Sequence, residues 1–177
     1  MMTYEMVLQR LTALCASAEH CEYEMTEKMR KWEVEESDRE RIIEYLRKTK
    51  FVDDERYARA LVKDKIKYNK WGRRKVEQVL WAKHIAEDIR QRVLDEVDDS
   101  EYKSVLADLL KSKRRSVKAS NDYELNMKLI KFALSRGFDY GIVKQCIDCD
   151  DYAEEDCSTD FCLLPAASLC GLQLASS

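Results

Sequence analysis

Three short breaks recur along the chain at nearly equal spacing: KWEV at 31–34, AKHI at 82–85 and SRGF at 135–138. A period of about fifty residues constrains a chain strongly, because it implies one supersecondary unit stacked on copies of itself. Shifting by 51 residues places Met25 on Val76, Met29 on Leu80, Val34 on Ile85 and Ile43 on Leu94. A further shift of 53 places Val76 on Leu129, Ile85 on Phe138 and Leu94 on Ile147. Apolar falls on apolar each time. At the shared break the third copy carries Gly137, which suits the left-handed conformation that commonly ends a helix. Glu33 and His84 hold the same position in the other copies. True repetition predicts positive φ at both, at a steric cost that glycine does not meet.

Each unit is helical by periodicity. Val7, Leu8, Leu11 and Leu14 form one stripe, Met25, Met29 and Trp32 a second, Ile42, Ile43 and Leu46 a third. The pattern restarts with Tyr57, Leu61 and Val62, then Val76, Val79 and Leu80, then Ile89, Val93, Leu94 and Val97. It restarts again with Val105, Leu109 and Leu110, with Leu125, Leu129, Ile130 and Phe132, and with Ile142, Val143 and Ile147. One Pro and four Gly in 177 residues leave little turn chemistry for a sheet. SDRE at 37–40 has the form of a capping box, with Ser37 as the N-cap. The expected fold is all-α, three tandem three-helix repeats over 1–50, 51–98 and 99–147, followed by a tail over 148–177 that lacks periodicity. That tail is expected to be the least ordered segment.

Charge is unevenly distributed. Seven acids and no Lys or Arg follow Ile147, so the formal −3 of the chain becomes +4 over residues 1–147. Lys63, Lys65, Lys67, Lys70, Arg73, Arg74 and Lys75 face one acid, Asp64, within thirteen positions. A second block holds Lys111, Lys113, Arg114, Arg115 and Lys118 without any acid. Such clusters suit phosphate or an acidic protein surface; a solvated helix face is the plain alternative. Trp71 and Gly72 interrupt the first block and are expected to bring Lys67 and Lys70 together with Arg73, Arg74 and Lys75.

Other chemistry is sparse. His20 and His84 have no Ser or Cys partner at a catalytic spacing, and no glycine-rich phosphate loop occurs. Cys146, Cys149, Cys157 and Cys162 begin as a C-x2-C pair, but the second pair lacks that spacing, so no metal site is expected. No apolar run approaches the roughly 20 residues of a membrane span. With MMTYEMVLQR unlike a signal peptide, the chain is expected in the cytoplasm with its seven cysteines reduced.

FVDDERYARALV at 51–62, WGRRKVEQVL at 71–80 and SRGFDYGIVKQCI at 135–147 together resemble the RecX family of bacterial recombination regulators. The likeness runs from about Tyr4 to Ile147 and is most specific in the middle unit. It implies an elongated, curved array of three-helix repeats that lies in the groove of the RecA filament on single-stranded DNA. It further implies a monomer without cofactor or catalysis, which represses RecA ATPase, strand exchange and coprotease activity. Within the DDERYA box, Asp53 occupies an N-cap position with Asp54, Glu55 and Arg56 in the first turn, a structural role. Tyr57 is expected to pack between units. Two other readings stay open: a general helical nucleic-acid binder, and a helical scaffold.

Overall fold

The computed structural model describes residues 3–153, and side-chain surroundings as far as Ile147. Nine helices and no strand occur among them: α1 Tyr4–Ser17, α2 Glu22–Lys31, α3 Glu36–Lys48, α4 Asp54–Lys67, α5 Arg73–Ala82, α6 Glu87–Asp95, α7 Asp99–Arg114, α8 Asp122–Ser135 and α9 Tyr140–Ala153. Each helix packs mainly within its own group of three. The expectation about the 148–177 tail and Cys149, Cys157 and Cys162 falls outside the described side chains. Among the described residues Cys15 and Cys21 are free thiols, and no helix is long and apolar enough to cross a membrane.

The second helix of each group ends in the same way. Glu33 has φ 56°, His84 φ 55° and Gly137 φ 85°. The amides after them reach back along the helix, Val34 to Met29, Ile85 to Leu80 and Phe138 to Ala133. These are Schellman closures, and the repeat period brings them to matching positions. The matched apolar residues Met25, Val76 and Leu129, with Met29, Leu80 and Ala133, are all buried. Burial of this stripe offsets the strain at two non-glycine positions.

The same period moves one N-cap. α3 starts at Glu36 after Glu35, so Ser37 lies inside the first turn and no capping box forms. The equivalent residues Ala86 and Asp139 precede α6 and α9, and Asp139 accepts the Gly141 amide at 2.9 Å. The fixed geometry of the preceding closure sets where the next helix begins, and it overrides the local Ser-Asp-Arg-Glu pattern. Asp53 behaves as expected, accepting from the Glu55 and Arg56 amides at 3.1 Å. The Arg56 amide, above all, holds its carboxyl below the ordinary range.

Two cores divide the described residues. Val7, Leu11, Met25, Met29, Ile42, Leu46 and Val52 form one. The second and third groups share the other, which Cys21 and Tyr23 of the first group also join. The first junction is therefore largely polar. Asp54 accepts the Glu22 amide at 2.9 Å and so caps α2 from the next unit. Glu24 is its hub, bonded to His20 at 2.7 Å, Lys83 at 2.8 Å and the Tyr57 hydroxyl at 3.1 Å. Tyr57 is accordingly buried between units, as expected.

Burial pushes the Glu24 carboxyl up, but hydrogen bonds from Lys83 and His20 outweigh it and hold it below its ordinary value. A depressed carboxyl contributes stability that is present above the unfolded-state value and lost as pH falls through the folded one. Glu24→Ala is expected to cost about 1–3 kcal/mol, because Tyr57 and Lys83 lose their acceptor. Glu24→Gln should lose less stability than the wild type on acidification below about pH 4. Denaturant melts across that range check both; parallel acid profiles would show that Glu24 is not the titrating group.

Candidate nucleic-acid interface

The junction of the second and third groups is built from two turns pressed together. The Gly72 amide donates to the Arg136 carbonyl at 2.9 Å, and the Arg74 amide to the Gly137 carbonyl at 3.1 Å. The Arg136 guanidinium returns across the seam to the Asn69 carbonyl at 3.1 Å. A Cβ on Gly72 would collide with the Gly137 carbonyl and the Phe138 nitrogen, and one on Gly137 with Lys75. The glycines exist for this approach. Because the amides of Gly72 and Arg74 at the start of α5 are consumed by Arg136 and Gly137, neither is left to bind a phosphate here.

Around the seam, cations sit over aromatic rings. Lys65 and Lys75 both lie over Trp71, with Nζ 5.3 and 4.5 Å from the ring centroid. Lys113 and Arg136 both lie over Phe132, at 5.0 and 5.3 Å. Lys67 lies over the exposed Tyr68 ring at 5.3 Å. Each such contact is worth about 0.5–1 kcal/mol at exposed sites, enough to hold a long side chain in place without neutralising it. Lys70, at φ 55°, turns the chain from α4 into Trp71, whose amide reaches back to the Lys65 carbonyl at 3.2 Å.

The two junctions are equivalent by the repeat period but differ in charge. Lys83 and Glu24 form an ion pair at the first. The corresponding residues at the second are Arg136 and Lys75. Where the first junction pairs a cation with an acid, the second carries two cations, Lys75 over Trp71 and Arg136 over Phe132. Folding does not need that excess, since a paired version holds the neighbouring unit in the same chain.

Not every basic residue of the two sequence blocks joins this cluster. Arg73 turns to its own unit, donating to the Leu94 carbonyl at 3.1 Å and to Asp95. The break at Gly72 therefore directs Arg73 inward, not towards Lys67 and Lys70. Lys63 lies in a separate groove with Glu96 and Glu101. Lys111, Arg115 and Lys118 lie around the end of α7, where Arg114 is half-buried. Arg136 lies outside both sequence blocks, although the SRGF break contains it; its signal is its equivalence to Lys83. Among the described residues no group of His, Cys, Asp and Glu could hold a metal ion.

This architecture defines an all-α protein of tandem three-helix domains with a basic seam between the second and third. Residues 53–94 match the RecX second three-helix domain and residues 100–147 the RecX third three-helix domain. The chain belongs to the RecX family. It is similar to the regulatory protein RecX of Clostridium perfringens strain 13, 32% identical over 67% of this chain and 56% of that protein. Its likeness to the Chlorobium limicola protein of the same name is 28% over 72% of this chain and 79% of that one. The chain spans about half the length of the clostridial relatives it matches. In fold it resembles the crystal structure of RecX from Lactobacillus salivarius, with a TM-score of 0.75 at 19% identity, covering 84% of this chain and 97% of that one.

Proposed function

We propose that this protein is a non-enzymatic regulator of homologous recombination and the SOS response. It acts in the cytoplasm as a monomer, binds the groove of the RecA filament on single-stranded DNA, and inhibits RecA ATPase, strand exchange and coprotease activity. Membership of a family of regulatory proteins supports the regulatory part. The observation that carries the binding site is the difference in charge between equivalent junctions: Lys75 and Arg136 stand where Glu24 and Lys83 pair. Lys65, Lys75, Arg136 and Lys113, held on Trp71 and Phe132, supply the cations. Lys67, Lys70 and Arg74 extend that surface, and Lys111, Arg115 and Lys118 flank it. Counterion release from phosphate supplies the affinity, which therefore falls with salt.

The test is RecA ATPase on single-stranded DNA with and without this protein. Inhibition well below the concentration that coats bare DNA supports the reading. Inhibition only at coating concentrations would make the protein a general nucleic-acid binder, and the absence of both effects would leave a scaffold.

A further inference from the structure

The outer face of α5 carries a feature that phosphate binding alone does not require. At about 100° per residue, Lys75, Gln78, Arg74, Trp81 and Ala82 share one arc of this helix. No acid lies within it; Glu77 sits half-buried at its edge. Trp81 is 68% exposed. A tryptophan costs free energy when its ring is left in water, and the equivalent positions, Arg30 and Leu134, show that the fold accepts other side chains there. Its indole is neither a core element nor part of the seam.

We propose that Trp81 is a stacking platform for an unpaired base of single-stranded nucleic acid whose phosphates lie along Arg74 and Lys75. This deepens the reading of the basic seam as a nucleic-acid interface and rests on it. Arg74 and Trp81 are seven residues apart, a rise of roughly 10 Å along the helix, so one strand reaches both within a few nucleotides. An arc of cations, an amide and an aromatic without acid complements a polyanion that offers bare π-faces. Single strands offer those faces, whereas duplex bases are stacked on one another. The proposal thus assigns strand preference to Trp81 and charge attraction to its basic neighbours.

Fluorescence anisotropy with labelled oligothymidine, and with a duplex of equal length, tests this across a salt series in the absence of RecA. Trp81→Ala is expected to weaken oligothymidine binding roughly 5- to 150-fold, the range of one lost base stack. It should leave duplex binding and the salt slope unchanged, and Trp81→Phe should restore most of the affinity. Arg74→Ala should instead lower the slope by about 0.7, as expected for one phosphate contact on a single strand. A folded Trp81→Ala with wild-type affinity for oligothymidine would overturn the stacking proposal. If that variant binds oligothymidine normally but fails to inhibit RecA, Trp81 contacts protein and the proposal also falls. Should Arg74→Ala, Lys65→Ala and Lys75→Ala all leave binding unchanged, the seam itself is not the interface, a failure separate from that of Trp81.

Discussion

Gly137→Ala is expected to destabilise the protein by about 2–5 kcal/mol, adding the left-handed penalty of about 1–2 kcal/mol to overpacking of about 1–3 kcal/mol. Gly137 has φ 85°, and its added methyl would strike the backbone nitrogen and Cβ of Lys75. Gly72→Ala carries the second cost without the first. Gly72 has an ordinary φ of −81°, and its methyl would meet the Gly137–Phe138 backbone. Because backbone cannot swing aside as a side chain does, that variant should fall at the upper end of the overpacking range, about 3 kcal/mol. Gly141→Ala is the control, since it is exposed on α9 and meets nothing nearer than an Asp139 oxygen at 3.3 Å. Urea midpoints rank the three variants. Were Gly72→Ala to unfold with the wild-type midpoint, the two turns would not touch, and the seam that positions Arg136 would not exist.

These two glycines mark where the sequence was legible and where it was not. The helical stripes follow from patterns within one unit, because hydrophobic periodicity is local, and the threefold period and the positive φ at Glu33 and His84 follow from aligning the units with one another. By sequence, Gly72 is a break between two basic helix ends. Its physical reason lies far along the chain, in Gly137, and nothing near it in the sequence signals that approach. Ser37 departs from expectation for the reverse reason: a good local capping pattern yields to a helix start fixed by the preceding closure. The basic blocks are visible as composition, yet composition does not separate Arg73, committed to Asp95, from Lys75, left on Trp71. Comparison of equivalent positions makes that separation, because it shows which charges the fold can satisfy internally.

That comparison also yields the sharpest functional variant. Lys75→Glu is expected to leave stability within about 1 kcal/mol of the wild type, because a new surface ion pair takes the place of a cation–π interaction of similar size. It recreates at the second junction the pairing that Glu24 and Lys83 make at the first, with Arg136 as the new partner. Reversing Arg73 would be a poorer choice, since a carboxylate there would face the Leu94 carbonyl and Asp95. Binding should suffer far more than folding. Lys75→Glu removes its own phosphate contact, and the new carboxylate both repels the backbone and occupies Arg136, so the single-strand salt slope should fall by about 1.4, two contacts at about 0.7 each. Two cations are thereby withdrawn by one substitution, so affinity at low salt should drop by at least about tenfold, and RecA inhibition with it. A folded Lys75→Glu protein that inhibits RecA at wild-type potency would place the interface elsewhere. It would also mean that the charge difference between the two junctions serves no ligand.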